Sequence, residues 1–417
     1  MPSDHTKRVE LLAPAGNFEK LEMVLHYGAD AVYLAGKMFS LRNFSDNFSL
    51  DEMSSAIKLA HACSAKVYVA VNIYARNRDL QSLHEYIVQL AAIGPDGVIV
   101  SDPAMVSMVQ KSAPGMPIHL STQANTTNTE SVRFWRSQGV SRINAARELS
   151  LQEIKQLSTV DGVQVEAFVQ GAMCISYSGR CLLSNYMAQR PSNQGMCCQP
   201  CRFRYSLVEQ TRPGQYFPIG EDDNGTYIFN SRDLCMLAHL PAMIDAGIDA
   251  LKIEGRMKGI HYAATAVKIY REAIDRFYAD PTDYAPASYW QSELDKITSR
   301  GYCTGFYLDE RQQIRPNYRR PQPPTYALAA KVLSSDDQRY APVEVRNQIR
   351  LGDSVEILTP AGPPLKDSIA AIITSDGRQT DVANPGDRVS VQLSNTVRRF
   401  DLLRRKVSNN VAENDTI

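Results

Sequence analysis

Residues 9–255 repeat one pattern eight times: a short apolar run rich in β-branched residues, closed by a small or polar residue, and then a helical stretch. Apolar runs that alternate with amphipathic helices are typical of parallel strands covered by helices. Eight such units are what a (β/α)8 barrel of the TIM type requires, and we predict this α/β fold. A doubly wound open sheet is the alternative, but the count of eight and the lack of a GxGxxG motif after the first run favour the barrel. The runs lie at 9–14, 31–36, 66–72, 97–102, 117–122, 142–147, 163–170 and 250–255.

Acidic and basic residues balance in this chain, with 45 Lys and Arg against 45 Asp and Glu. A zero net charge excludes a protein that coats nucleic acid through overall basicity, so any RNA contact needs a local basic patch. The amino-terminal residues lack the apolar stretch of a signal peptide, and no run reaches the ~18 apolar residues of a membrane helix. We therefore expect a cytoplasmic protein without a membrane span, and its oligomeric state stays open.

The interval between the seventh and eighth runs, about 171–249, is far longer than an ordinary βα loop. An oversized loop at the catalytic face of a barrel is usually functional. A Pro-rich linker at 321–324 precedes short alternating strands separated by Gly and Pro turns, which predict a small β-barrel. The predicted division is a barrel domain with this insertion and a helical connector over 1–324, a β-barrel domain over 325–410, and a disordered tail over 411–417.

Polar side chains follow most of the predicted strands at their carboxyl ends. A (β/α)8 barrel brings these ends together at one mouth, where its active site lies. We therefore expect these side chains to form one cluster. They are Asn72, Asp102, Gln123, Asn125, Arg147, Glu166, Glu254 and Arg256.

The long loop carries five of the eight cysteines between positions 174 and 201, including Cys198. Four of them have the spacing Cys-x6-Cys-x15-Cys-x3-Cys, and four thiolates in one loop can hold a zinc ion or an iron–sulfur cluster. Zinc would favour paired CxxC motifs, which are missing, whereas wide and uneven spacing suits a 4Fe–4S cluster. Reduced structural thiols are the remaining alternative. The four predicted ligands are Cys174, Cys181, Cys197 and Cys201.

The loop and the strand before it resemble a known family. The residues Glu166-x-Phe168-x-x-Gly171-Ala172-Met173-Cys174-x4-Gly179-x-Cys181-x-Leu183-Ser184 are similar, position by position, to the signature of the collagenase-like peptidase family U32. Segments 12–17, 28–33, 119–123 and 251–256 also resemble family motifs. One position departs from the pattern, because Gln170 stands where members often have His.

The resemblance implies an activity other than the one in the family's name. Relatives are implied to be iron–sulfur proteins of oxygen-independent hydroxylation, which act on uridine or cytidine in RNA or on ubiquinone precursors, with prephenate as oxygen donor. The chain looks most like the branch that makes 5-hydroxyuridine at the tRNA wobble position. The resemblance thus implies a 4Fe–4S cluster as the cofactor and tRNA as the partner. It implies prephenate, a small dicarboxylate, as the co-substrate. A peptidase, or an iron–sulfur accessory protein of another hydroxylation pathway, is the alternative.

Prephenate carries two carboxylates, which arginine binds in a bidentate manner. Arg42, Arg147, Arg180 and Arg256 lie at predicted strand ends or in the loops that follow. An ion pair with a nearby glutamate is the alternative role for Arg147 and Arg256, and an interior ion pair is the alternative for Glu166. We predict Arg147, Glu166, Arg180 and Arg256 as catalytic residues.

Cationic and aromatic residues alternate from Arg202 to Tyr205, directly after the last predicted cluster cysteine. This mixture suits phosphate contact and base stacking. A second basic run, 398–406, lies in the predicted β-domain, and a solvated charged face is the alternative for both runs. The predicted substrate-binding residues are Arg42, Gln123, Tyr177, Arg202 and Arg204.

Overall fold

The computed structural model describes most of the chain. Its described residues are 7–40, 46–173, 176–190, 192–198, 200, 232–308, 324–334 and 340–407, with the short strand segments 207–208, 216–217, 220–222 and 225–227. Two compact units are present: one comprises residues 1–286 and 299–322, the other 287–298 and 323–417. The tail predicted at 411–417 lies outside the described residues.

The first unit contains eight parallel strands in sequential order, and the last strand pairs with both the seventh and the first. The sheet therefore closes on itself, which confirms the predicted (β/α)8 barrel. All eight runs found in the sequence form strands. They are β1 Glu10–Pro14, β2 Ala31–Ala35, β3 Lys66–Ala70, β4 Gly97–Val100, β5 Ile118–Leu120, β6 Arg142–Asn144, β7 Gln164–Ala172 and β8 Ala250–Ile253.

Helices follow the strands and cover the barrel. Five of the first six begin after an Asn, Ser or Asp whose side chain accepts a hydrogen bond from a backbone N–H of the first turn, which stabilises a helix start. The helices are α1 Phe18–His26, α2 Leu50–Ala62, α3 Leu80–Ile93, α4 Pro103–Ser112, α5 Thr129–Ser137, α6 Leu151–Leu157, α7 Leu183–Ala188, α8 Leu240–Asp245, α9 Ile260–Ala279 and α10 Ser288–Leu294. No helix in the described part of the chain has the length and apolar character that a membrane crossing requires.

The seventh strand is nine residues long and continues past the barrel. Its end pairs antiparallel with the short strand Asp233–Cys235, which in turn pairs with Tyr302–Cys303. The insertion leaves the barrel from this extension. It holds α7 and two antiparallel pairs, Leu207–Val208 with Tyr216–Phe217 and Gly220–Asp222 with Gly225–Tyr227.

The second unit confirms the predicted small β-domain as an antiparallel half-barrel of seven strands. Alternate residues of these strands, such as Val343 and Val345, form its apolar core. In spatial order the strands are Leu365–Ser368, Ser354–Leu358, Leu402–Lys406, Tyr326–Val332, Ala341–Val345, Arg388–Gln392 and Ala371–Thr374, with a further pair, Ile349–Arg350 and Val382–Ala383.

A buried ionic cluster ties α10 to this sheet. The Arg404 guanidinium is 0% exposed and contacts Glu293 of α10, which is 1% exposed, and Glu356 of the sheet. Lys296 completes the cluster with contacts of 2.7 Å to Glu293 and 2.8 Å to Glu356. Arg404 belongs to the basic run 398–406 considered for RNA contact, and its burial removes it from any such surface.

We predict that Arg404→Met lowers the free energy of unfolding by about 3 kcal/mol, because it leaves a buried carboxylate without its main cation. The neighbouring Arg405 is a matched control: its pair with Asp353 is partly exposed, so Arg405→Met should cost no more than about 1 kcal/mol. Urea unfolding of the full chain measures both. Equal losses in the two variants would contradict this role of the cluster.

Candidate active site at the barrel mouth

A cavity of about 110 Å³ opens where the carboxyl ends of the barrel strands meet. Its size suits a small molecule. Three cations and one carboxylate line it among the described residues, so its field favours an anion. The polar lining residues are Asn72, Ser121, Thr122, Gln123, Asn144, Arg147, Lys252, Glu254 and Arg256; Tyr33, Ala70, Ile99 and Phe168 supply the apolar contacts.

A buried ion pair lies directly beneath this cavity. Lys252 of β8 donates to Glu166 Oε1 at 2.6 Å, and Asn144 Nδ2 donates to the same oxygen at 2.7 Å. The Lys252 ammonium also lies 4.5 Å from the centre of the Tyr33 ring. Burial lowers the pKa of Lys252, and the attraction of Glu166 opposes that shift. The predicted catalytic residue Glu166 thus lies behind the cavity lining and acts on Lys252 and Asn144.

A second polar layer lies deeper in the barrel. Arg142 approaches Glu166 Oε2 at 3.7 Å and donates to Glu10 at 2.6 Å. His119 packs against Tyr68, with 4.4 Å between the ring centres. Burial, together with the charges of Arg142 and Lys252, holds the pKa of His119 well below its usual value. His119 is therefore a neutral interior residue at neutral pH.

The predicted substrate-binding residue Gln123 follows β5 and lines the cavity. Its Oε1 accepts hydrogen bonds from Asn72 Nδ2 at 3.0 Å and from the Ser101 and Ser121 hydroxyls at 3.1 Å each. The side chain is only 7% exposed. The Ser101 hydroxyl lies closer to the Asn72 carbonyl oxygen, at 2.8 Å, and its single hydrogen can go to only one of these two acceptors.

Arg147 and Arg256, both predicted to be catalytic, line the cavity. Arg147 stacks on Phe168, with its guanidinium carbon 4.1 Å from the ring centre. No ion pair reaches Arg147 from the residues the structure describes; Glu148 instead accepts from the hydroxyl of Ser178 at 3.1 Å. Arg256 is buried, and its Nη2 donates to Ser40 at 2.9 Å.

The cysteine loop packs on the same mouth. Gly179 lies so close to Gln123 that a Cβ at this position would stand 2.3 Å from the Gln123 carbonyl oxygen. Asn193 donates to the Gly179 carbonyl at 2.8 Å, and its own carbonyl accepts from the backbone N–H of Tyr74. These backbone contacts place the described part of the loop beside the cavity.

Two of the four predicted cluster ligands lie in the described part of this loop. Cys181 and Cys197 are half-buried thiols outside any disulfide. Cys198, not predicted as a ligand, has its Sγ 3.4 Å from the Ser184 hydroxyl. In the portion of the chain described, no group of three or more His, Cys, Asp or Glu side chains is arranged to hold a metal ion. Cys174 and Cys201 lie outside it.

The remaining predicted residues are at the rim or outside the described chain. Arg180 is exposed on the loop and does not line the cavity. Tyr177 is 68% exposed two residues beyond the undescribed pair 174–175. Arg42, Arg202 and Arg204 lie outside the described residues.

The position where family members often have His does not face the cavity. Lys252 pairs with Phe168 and Ile253 with Gln170, so Val169 forms a bulge in β7. The bulge turns Gln170 towards α9, where its Oε1 accepts from the Tyr270 hydroxyl at 3.2 Å. Gln170 therefore packs behind the barrel wall and does not line the cavity.

Four polar residues of the cavity are not among those predicted from the sequence: Ser121, Thr122, Asn144 and Lys252. Lys252 had a detectable signal, since a lysine inside the otherwise apolar strand Ala250–Ile253 needs a buried partner. Asn144, at the end of β6, gave no such signal in the sequence, because its role depends on Glu166 in the next strand.

The structure defines a class of protein: an α/β barrel that has a cation-lined mouth and a cysteine-bearing loop after its seventh strand. The chain matches the family model "Peptidase family U32" over residues 16–317 and "Peptidase family U32 C-terminal domain" over residues 324–404. It belongs to peptidase family U32, which confirms the resemblance found in the sequence.

Three relatives are similar over nearly their whole length. tRNA hydroxylation protein P1 of Bacillus subtilis is 38% identical, with 96% of this chain and 95% of that protein covered. tRNA hydroxylation protein P of Escherichia coli is 35% identical, with 92% and 93% covered. An uncharacterized protease of Methanocaldococcus jannaschii is 33% identical, with 94% and 97% covered.

We predict that Gly179→Ala detaches the loop from the mouth, because the added Cβ would overlap the Gln123 carbonyl. Gly94→Ala is the control, since Gly94 has nearly the same positive φ, 72° against 74°, but no atom near its Cβ position. Trypsin cleavage after Arg180 should accelerate about fivefold per 1 kcal/mol of lost local stability, in Gly179→Ala only. Equal cleavage rates in both variants would show that the loop is held elsewhere.

Proposed function

We propose that this protein is a tRNA-modifying enzyme that converts the wobble uridine to 5-hydroxyuridine without molecular oxygen. The observation that carries the proposal is the near full-length similarity to two proteins named for tRNA hydroxylation, at 38% and 35% identity. A cytoplasmic location follows from a tRNA substrate.

The proposed cofactor is a 4Fe–4S cluster held by Cys174, Cys181, Cys197 and Cys201. Thiolates are the usual ligands of such clusters, and the thiols of Cys181 and Cys197 are free. When bound, the cluster supplies one-electron redox chemistry. The loop's own contribution is position, since its contact at Gly179 holds the segment next to Cys181 against Gln123 of the cavity lining.

The proposed co-substrate is prephenate, as the donor of the oxygen atom. Arg147 and Arg256 line the cavity and can each bind a carboxylate. Phe168 and Ile99 offer apolar surface to a ring, and the Arg147 guanidinium already lies over the Phe168 ring, 4.1 Å from its centre. A guanidinium oriented in advance loses less conformational entropy on binding.

The proposed tRNA contact is the exposed rim of the loop. Tyr177 presents an accessible ring that can stack on an unpaired base, and Arg180 presents an exposed cation nearby for phosphate. Arg202 and Arg204, proposed for the same role, follow the last cluster cysteine in the sequence.

The second candidate function is a peptidase, favoured by the family's name and by one relative named as a protease. A cysteine or serine peptidase needs a nucleophile beside a basic histidine. Among the described residues that line the cavity there is neither a histidine nor a cysteine. Hydrolysis of gelatin by the purified protein, surviving Cys181→Ala, would favour the peptidase.

The direct test is the nucleoside content of tRNA from a strain that lacks this gene, grown without oxygen. We expect mass spectrometry to find no 5-hydroxyuridine, and the wild-type gene to restore it. An unchanged level in the deletion strain would refute the proposed function. An accessory protein of another pathway would give that same unchanged level.

Cys181→Ala and its control Cys63→Ala test the proposed cofactor. Cys63 is an exposed thiol at the end of α2, far along the chain from the loop. We expect anaerobically purified Cys181→Ala to lose its iron and to fail to restore the nucleoside, whereas Cys63→Ala retains both. Full iron content in Cys181→Ala would rule this cysteine out as a ligand.

A further inference from the structure

One carboxylate at the barrel mouth joins the loops that follow three consecutive strands. Glu148, which follows β6, accepts hydrogen bonds from Asn125 Nδ2 after β5 and from the Ser178 hydroxyl after β7, the latter at 3.1 Å. The Ser178 backbone N–H also lies 3.4 Å from Glu148 Oε1. Ser178 is 1% exposed, so its hydroxyl cannot exchange Glu148 for bulk water unless the loop moves.

Glu148 differs in role from what its place in the sequence suggests. It directly follows Arg147, for which an ion pair with a nearby glutamate was the alternative role. Its carboxylate is instead directed to Asn125 and Ser178. The Arg147 guanidinium stacks on Phe168 at the cavity, while the Arg147 backbone N–H lies 3.4 Å from the Ser178 hydroxyl. Two adjacent residues thus serve two different parts of the mouth, the cavity and the loop.

An ionised side chain suits this position better than a neutral one. A carboxylate only accepts hydrogen bonds and has about four lone-pair sites, enough for the amide of Asn125 and both donors of Ser178. Hydrogen bonds to an ionised acceptor are also stronger than those between neutral groups. Asn125 reaches Glu148 from a left-handed backbone conformation, φ 54°, which asparagine adopts more readily than most residues. Each partner is therefore suited to its place in the contact.

We propose that Glu148 is a positioning residue that holds the cysteine-bearing loop on the barrel mouth. Gly179 lets this loop approach the barrel closely, and Glu148 supplies hydrogen bonds one residue earlier. Ser178 lies between Cys174 and Cys181 in the sequence, so Glu148 holds the segment that joins two of the proposed cluster ligands. That consequence for a cluster rests on the proposed function, whereas the attachment of the loop does not.

The test exchanges the two polar groups and measures amide hydrogen exchange of the full-length protein. Mass spectrometry of peptides that cover 177–180 reports local opening of the loop. Glu148→Gln leaves fewer acceptors for the three donors, and Asn125→Asp sets two carboxylates against each other. Each change should speed exchange in this segment about tenfold. In the double variant the new amide donates to the new carboxylate, so exchange should return to within about threefold of the wild type.

Glu85→Gln makes the same chemical change on the exposed face of α3 and should leave exchange in this segment unchanged. Unchanged exchange in Glu148→Gln, or a double variant that exchanges faster than either single variant, would overturn the proposal. Faster exchange in every peptide would overturn it too, since that result indicates a general loss of stability.

Ser178→Ala takes the place of Asn125→Asp if that variant fails to fold. It removes one donor to Glu148 and should also speed exchange in 177–180, and an unchanged rate would overturn the proposal. Failure of the proposed function is a separate result: 5-hydroxyuridine would persist in the deletion strain while the exchange pattern of these variants remained.

Discussion

The ion pair between Lys252 and Glu166 is the interaction on which the barrel mouth depends. Both side chains are buried, and a buried charge is tolerated only with a close partner. Glu166 also accepts from Asn144, and the Lys252 ammonium lies 4.5 Å from the centre of the Tyr33 ring. One carboxylate therefore sets the positions of two lining residues. Arg147 and Arg256 are the other cations of the lining, which also contains the carboxylate of Glu254.

The long loop after β7 contacts the lining of this cavity. Gly179 meets the backbone of Gln123, and the Ser178 hydroxyl accepts from Thr122 and donates to Glu148. Gln123, which lines the cavity, and the loop that carries the cysteines thus share one contact. This arrangement brings the cavity and the cysteine-bearing loop to the same mouth.

The sequence predicted the barrel because each strand is a local apolar run, and it predicted Gln123, Arg147 and Arg256 because strand ends meet at one mouth. It did not predict the pairing of Lys252 with Glu166, since 86 residues separate them and only the alignment of β7 with β8 brings them together. The bulge that turns Gln170 outward likewise arises from a register shift between β7 and β8. The exposure of Arg180 depends on loop packing, which residue spacing does not encode.

A double-mutant cycle on Lys252→Met and Glu166→Gln tests most directly whether this ion pair organises the mouth. The free energies of unfolding of the wild type, both single variants and the double variant are measured by denaturant titration. If each charge is stabilised mainly by the other, the double variant should lose less unfolding free energy than the two single variants lose together. The expected difference is about 2 kcal/mol or more. Additive losses would contradict the claim that Lys252 and Glu166 organise the barrel mouth as a pair.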